Sequence, residues 1–165
     1  MKRILLPAIA LSALAASATT LAAPAKYTAI RMEINVAKPA KEVWAKVGPF
    51  CAISKWLKVD CKIVSGDGGI GTVRSLAGGR VTEVLVGKTG LSYGYTQPVK
   101  EGQFYNLYHG YLEAMPVTRK TCKLIYTVMY DTSHMTGQAA KADEARRRKT
   151  FEGALKNMKE LAEAK

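Results

Sequence analysis

The feature that most constrains the fold of this chain is a change of hydrophobic period close to Gly137. Before it, short runs alternate apolar and polar residues and are separated by glycine turns such as Gly78-Gly79. After it, apolar residues such as Phe151 and Leu155 recur at helical spacing. Short glycine turns join antiparallel strands, and the apolar face of a sheet has to be covered. The pattern therefore predicts a curved antiparallel sheet that is closed by one long C-terminal helix.

The other elements are predicted from alternation and from residues that start or stop helices. Tyr27 to Val36 alternates as a half-buried strand does. Pro39 opens the first of two short helices and Gly48-Pro49 ends it, while Phe50 to Leu57 has the spacing of the second. The longest predicted strand, Lys120 to Tyr130, has one apolar face. The expected fold class is α+β.

The N-terminal residues 1–25 have the layout of a secretory signal peptide. A positive start at Lys2-Arg3 is followed by an apolar stretch and by small-residue triplets suited to cleavage. The apolar stretch is shorter than the ~20 residues that a membrane-spanning helix needs. We therefore expect an exported protein, periplasmic or secreted, without a membrane span. Its mature N-terminus should lie between Thr19 and Lys26, leaving one domain over residues 26–165.

The charge balance favours anionic partners. Lys and Arg number 25 against 13 Asp and Glu, a net charge of +12. A basic exported domain suits an acidic protein, anionic lipid headgroups or an anionic ligand, whereas export argues against nucleic acid. The densest basic run, Arg146 to Lys149, would fan around its predicted helix and so form no single face. A generally basic, solvated surface explains the charge equally well.

The three cysteines predict one disulfide. Cys51 and Cys61 are close in sequence, and an oxidising compartment makes their pairing plausible. The bridge would close a short loop, worth up to ~3 kcal/mol in the chain-entropy model. Cys122 lies in a strand pattern and is expected to be a free, buried thiol. Three unpaired core cysteines remain the alternative, because spacing alone does not give geometry.

Five segments follow one another along the chain: PAKEVWAKVGPFCAISKW, GTVRSL, GGRVTEVL, LSYGY and LIYTVMYD. Their content and order resemble the helix-grip fold of the START-like (SRPBCC) superfamily, in which a curved sheet wraps around a long C-terminal helix. This superfamily includes polyketide cyclase/dehydrase-like proteins and the plant abscisic-acid receptors. Many bacterial relatives carry a His-Pro pair after the tryptophan, whereas Leu57-Lys58 follows Trp56 here, and the Pro-Leu-Pro gate of the plant receptors is missing. Hormone-receptor function is therefore not carried over.

The resemblance implies a ligand cavity between the sheet and the long helix. Tyrosine walls with hydroxyl tips would suit a ligand with a flat or long apolar body. An inward-facing Arg74 and Glu83 should pair with each other or with the ligand, since each is costly to bury alone. The alternative is that the tyrosines fill the grip and the charged pair faces solvent. The expected ligand-binding residues are Trp56, Arg74, Glu83, Tyr93, Tyr95, Tyr108 and Tyr126.

Catalytic motifs are scarce. His109 and His134 have no neighbours at metal-ligand spacing, and no Gly-x-Ser-x-Gly elbow is present. The glycines of residues 66–71 lack the Lys-Ser/Thr of a phosphate-binding loop. We therefore predict no catalytic residue, metal or cofactor. Acid–base catalysis by Glu83, Arg74 and the tyrosines stays open.

Three functions are consistent with these observations. The first is an exported binding protein for a small hydrophobic or amphipathic molecule. The second is an accessory protein that acts on a partner enzyme, because an exported, basic, START-like chain of this size resembles the MxaD-type accessory proteins of bacterial methanol oxidation. The third is a polyketide cyclase or dehydratase, which export disfavours because such substrates are made inside the cell. A copurified ligand would favour the first function, and salt-sensitive association with an acidic protein would favour the second.

Overall fold

A computed structural model describes residues 26–98 and 107–164, so the predicted leader lies outside the described residues. Within these ranges no helix is long and apolar enough to cross a membrane. The elements follow the predicted order of strand, short helices, strands and long helix. They are β1 (Tyr27–Val36), α1 (Ala40–Val47), a 3-10 turn (Phe50–Ala52), α2 (Ile53–Trp56), β2 (Cys61–Ser65), β3 (Val73–Leu76), β4 (Val81–Lys88), β5 (Ser92–Thr96), β6 (Tyr108–Pro116), β7 (Cys122–Asp131) and α3 (Gly137–Glu163).

The described strands form one antiparallel sheet in the order β1-β7-β6-β5-β4-β3-β2. The chain thus runs by hairpins from β2 to β7, and β1 pairs with β7 along its whole length, from Tyr27 opposite Asp131 to Val36 opposite Cys122. Alternation along β7 buries Leu124, Tyr126 and Val128 on the inner face. The predicted α+β class with a helix-grip arrangement is confirmed.

Helix α3 lies across the inner face of the sheet. Thr136 caps its first turn, since the hydroxyl accepts a hydrogen bond from the Ala139 amide at 3.3 Å. At ~1.5 Å per residue its length is about 40 Å, enough to cover the sheet. Arg147 of the basic run belongs to the buried stripe, as a run that fans around the helix allows, so the run is not wholly solvated. The members of the stripe are Arg147, Phe151, Ala154, Leu155, Met158 and Ala162.

The two short helices close one end of the grip. Val43 and Val47 of α1 are buried against the core. Gly48 ends α1 and has to be glycine, because a Cβ atom there would lie 2.4 Å from the Trp44 indole. The predicted disulfide forms between Cys51 and Cys61, with a Cα–Cα distance of 5.5 Å. It ties the 3-10 turn to β2, whereas Cys122 is a buried free thiol, as predicted.

Candidate functional site

A buried ion pair lies on the inner sheet face, on two strands close to the β2 edge of the sheet. Arg74 and Glu83 are opposite each other on β3 and β4, and their exposed fractions are 0% and 3%. The guanidinium Nε and Nη2 atoms lie 2.7 and 2.6 Å from Glu83 Oε2. Arg74 Nη1 donates to the Phe50 carbonyl, and the guanidinium carbon lies 4.0 Å from the centre of the Phe50 ring. The expected inward-facing, mutual pair is therefore present.

The surroundings of this pair keep Arg74 charged and occupy both oxygens of Glu83. Burial opposes the cationic form of Arg74, but nearby Tyr93 and Glu83 outweigh it and raise the Arg74 pKa above its usual value. Gln97 Nε2 donates to Glu83 Oε1 at 3.1 Å. Each carboxylate oxygen thus has a donor from this chain, which leaves only spare lone pairs for a ligand.

The tyrosines form a row of mutually tilted rings across β5, β6 and β7. Successive ring centres from Tyr93 to Tyr95, Tyr108 and Tyr130 lie 6.3, 6.4 and 6.3 Å apart. The Tyr95 and Tyr126 hydroxyls share a hydrogen bond of 2.8 Å. Burial raises the pKa of each of these phenols. The inner face is therefore lined by neutral hydroxyls and aromatic rings.

Gly110 determines the orientation of the Tyr95 ring. It is opposite Tyr95 in the β5–β6 ladder, and a Cβ atom at this position would lie 2.1 Å from Tyr95 Cζ. The missing side chain lets the Tyr95 ring lie across β6 and reach Tyr126. A larger residue would force the ring into the space beneath α3.

The helix side of the site is apolar. Phe151 of α3 stacks on Tyr126 with ring centres 4.7 Å apart. Trp56 meets the same tyrosine edge-on at 6.1 Å, and its indole Nε1 donates to the Val47 carbonyl at 3.3 Å. Its own carbonyl accepts from Asn157 Nδ2 at 2.8 Å. Trp56 is therefore fully tied into the packed core beside Tyr126.

An inner cavity of about 150 Å³ remains between these groups. This volume is below the range of about 300–1,000 Å³ that is usual for ligand sites, and it matches a cavity that can hold one benzene-sized molecule. Of the predicted residues, Glu83, Tyr95, Tyr108 and Tyr126 line it, whereas Trp56, Arg74 and Tyr93 are buried nearby without lining it. The complete lining is Ile53, Leu57, Val59, Leu76, Val81, Glu83, Tyr95, Gln97, Tyr108, Tyr126 and Phe151.

Sequence reasoning missed two polar side chains at the site, Gln97 and Arg147. The Arg147 guanidinium carbon lies 4.3 Å from the Tyr130 ring centre and 5.4 Å from that of Tyr108. Its Nε donates to Asp143 Oδ2 at 2.7 Å, and burial lowers the Arg147 pKa to about 10. The four-residue spacing from Asp143 to Arg147 was the available signal, since such pairs meet on a helix.

The described residues contain no group of three or more His, Cys, Asp or Glu side chains that could hold a metal ion. The polar groups that line the inner cavity are the neutral tyrosine hydroxyls, the amide of Gln97 and the carboxylate of Glu83, which is paired with Arg74. These groups can hold a polar function of a small ligand by hydrogen bonds, while the rings and aliphatic side chains contact its apolar part.

A seven-stranded antiparallel sheet around a long C-terminal helix, with a cavity between them, defines the class of helix-grip proteins. The polyketide cyclase / dehydrase and lipid transport family model matches residues 27–163, so the chain belongs to that family. No match is found among curated protein sequences.

Solved structures share the fold at low sequence identity. The aromatase/cyclase ZhuI from Streptomyces sp. R1128 has a TM-score of 0.68 and 16% identity, over 84% of this chain and 94% of ZhuI. A protein from Thermobifida fusca has a TM-score of 0.66 and 24% identity, over 81% and 92% of the two chains. Norcoclaurine synthase from Thalictrum flavum, as a point mutant, has a TM-score of 0.64 and 16% identity, over 86% and 97%.

Proposed function

We propose that this protein binds a small amphipathic molecule, about the size of one aromatic ring, in the inner cavity. The observation that carries the proposal is the composition of the cavity wall. Aliphatic and aromatic side chains form most of it, and the polar residues Glu83, Gln97 and Tyr108 line the same space. A few convergent polar groups in an apolar enclosure are typical of a small-molecule site.

The hydrogen-bonding state of the wall specifies the ligand further. Glu83 Oε1 already accepts from Gln97, and a carboxylate oxygen has a second lone pair. A ligand hydroxyl could donate to that lone pair while its ring contacts Phe151 and Tyr126. A phenol or a similar ring alcohol therefore fits better than a ligand that carries a carboxylate, because Glu83 would repel the ligand's negative charge.

Binding fits the site better than catalysis does. A general base has to take a proton from its substrate. Glu83 can accept a ligand hydrogen bond through its spare lone pair, but its negative charge is already paired with Arg74. The buried phenols have raised pKa values and are weak acids at neutral pH. Two of the structural neighbours are named as a cyclase and a synthase, so a cyclase-like activity is the alternative from another class. Turnover of a ring-closing substrate by the purified protein would favour it.

We also propose that the protein is exported, from the signal-peptide layout of residues 1–25. The Cys51–Cys61 disulfide supports an oxidising compartment. A role as accessory to an acidic exported protein is the second candidate, supported by an excess of ten positive charges that remains when Lys2 and Arg3 of the leader are subtracted from the net charge of +12. N-terminal sequencing of the exported protein tests the first point. The accessory role is tested by pull-down with this protein as bait: an acidic exported protein should be captured at low salt and lost at high salt.

The binding proposal is tested by calorimetric titration with 4-methylphenol, with toluene as the probe that lacks the hydroxyl. Val81 lines the cavity at the start of β4, so Val81→Phe should fill it and abolish binding. The matched control is Val86→Phe on the same strand, because Val86 is exposed and lies outside the cavity. We expect the control to bind like the unaltered protein and toluene to bind more weakly. Equal affinity in both variants, or no binding of either probe at millimolar concentration, would contradict the proposal.

A further inference from the structure

A second and larger cavity lies beyond the opposite side of the Arg74–Glu83 pair. Its volume is about 410 Å³, which is within the usual range for ligand sites. Along β4 and β5 it is lined by Leu85 and Tyr93, whereas the inner cavity is lined by Val81, Glu83, Tyr95 and Gln97. We call it the outer cavity. It lies between the end of α1, the turn after it and the loop that joins β2 to β3.

Three aromatic rings form the walls of the outer cavity. The Trp44 and Tyr93 ring centres are 5.6 Å apart, and the Phe50 ring meets Tyr93 edge-on at 5.5 Å. The Trp44 indole is half-buried and lies against the backbone of Gly48, which has no Cβ to keep it away. The other side chains that line the cavity are mainly apolar, including Pro49 and Leu85. Such walls fit a flat aromatic body.

Among the described residues, Lys88 is the one charged side chain that lines the outer cavity. Lys88 Nζ donates to the Gly68 carbonyl oxygen at 2.6 Å. That bond holds the ammonium at the cavity rim and leaves two of its three donors for a ligand. No carboxylate lines this cavity within residues 26–98 and 107–164. An anionic group on the ligand would therefore meet an attractive charge without a competing acid.

The outer and inner cavities share no lining residue. Phe50 and Tyr93 separate them, because these rings face the outer cavity and also cover Arg74, whose guanidinium carbon lies 4.0 and 5.8 Å from their centres. A ligand in the outer cavity thus leaves the buried ion pair in place. We propose that the outer cavity is a second binding site, which takes a flat aromatic carboxylate with its ring beside Trp44 and Tyr93 and its carboxylate on Lys88.

The test uses 2-naphthoate, with 2-naphthylmethanol as its uncharged counterpart. Two fused rings are too large for the inner cavity of about 150 Å³, so this probe reports on the outer one. We expect naphthoate to bind about tenfold more tightly than the alcohol, because a charge-assisted hydrogen bond to Lys88 adds to the ring contacts. Quenching of Trp44 fluorescence should accompany binding, and Trp44→Phe should remove that response while Trp56 still emits.

Three variants decide whether the site is the one described. Lys88→Gln should abolish the preference for the carboxylate, whereas Lys62→Gln should preserve it, since Lys62 is exposed on β2 and does not line the cavity. Val81→Phe fills the inner cavity and should leave naphthoate affinity unchanged. Lack of naphthoate binding, an unaltered preference in Lys88→Gln, or loss of binding in Val81→Phe would each overturn the proposal. Because Lys88 is exposed, Lys88→Gln is expected to fold, and the loss of preference for the carboxylate can be measured on a folded variant.

Discussion

Replacing Glu83 by Gln should destabilise the protein far more than an isosteric change usually does. The side chain keeps its shape and an acceptor oxygen, but the negative charge beside Arg74 is lost. Arg74 cannot respond by losing its proton, since its pKa is raised and its side chain is 0% exposed. The Phe50 carbonyl and ring still contact the guanidinium, yet neither carries a charge. An uncompensated cation therefore stays buried.

Breaking a buried pair by removing one partner costs about 3–5 kcal/mol, and we expect this loss of unfolding free energy for Glu83→Gln. Arg74→Met should cost a similar amount, because Glu83 would then have only Gln97 as a donor. The double variant removes both charges. Replacement of a whole buried pair is often neutral or stabilising, so the double variant should recover most of the loss and lie within about 1 kcal/mol of the unaltered protein.

Urea unfolding followed by tryptophan fluorescence, with the disulfide intact, measures these differences. The dependence of unfolding free energy on urea concentration should stay constant across the variants, because the folded surface is the same. Glu33→Gln is the matched control, since Glu33 pairs with Lys123 on the surface at 2.6 Å and its side chain is 38% exposed. It should change stability little. Equal behaviour of Glu83→Gln and Glu33→Gln, or a double variant as unstable as the two single losses added together, would refute the reasoning.

Three further changes test other parts of the site. Phe151→Ala should cost about 3–5 kcal/mol in urea unfolding, because the ring is buried on Tyr126; a loss under about 0.5 kcal/mol would mean that α3 docks elsewhere. Gly110→Ala should cost about 1–3 kcal/mol, since the new Cβ would displace the Tyr95 ring; a melting temperature like that of the unaltered protein would contradict this. Above pH ~10 unfolded tyrosines ionise, whereas burial keeps Tyr95 and Tyr126 protonated. Unfolding free energy should thus fall by about 1.4 kcal/mol per pH unit for each such tyrosine, and stability that stays constant from pH 10 to 11.5 would be the contrary result.

Which side chains face inward could be predicted from the sequence, because it depends on the repeat of apolar residues along a single strand or helix. Alternation along Cys122–Asp131 determines that Tyr126 faces inward whatever the rest of the sheet does. The helical stripe through Phe151 likewise determines which side of α3 meets the sheet. The fold class follows, since an antiparallel sheet and one long helix have few ways to cover each other.

The size of the cavity could not be predicted in the same way. Strand parity places Tyr95 on the inner face, but the space left beneath α3 depends on Gly110 of the next strand, whose missing Cβ lets the Tyr95 ring lie across β6. The hydrogen bond from Tyr95 to Tyr126 also bounds this space, and it joins residues 31 positions apart in the sequence. Cavity volume depends on such contacts across several strands, which no local pattern contains.

The buried Arg147 likewise combines a position that local spacing predicts with contacts that it does not predict. It lies one helical turn before Phe151 and so belongs to the inner stripe by spacing. The basic composition of the run is nevertheless equally consistent with a solvated surface, since an isolated buried cation is costly. Asp143 and the Tyr130 ring offset that cost. The ring becomes available only when α3 is docked on β7, so the burial of Arg147 could not be inferred from the helix alone.

The polar content of the inner face needs a reason beyond the stability of a core. A core selected for stability alone gains little from Arg74 and Glu83, since apolar replacement of a buried pair is often neutral or stabilising. The pair is then expected where it organises something else, and here it fixes the carboxylate that lines the inner cavity beside Gln97. Titration of the Arg74→Met/Glu83→Gln double variant with 4-methylphenol separates the two roles. A double variant that folds normally but binds the phenol at least tenfold more weakly would assign the pair to ligand binding, whereas unchanged affinity would assign it to the fold.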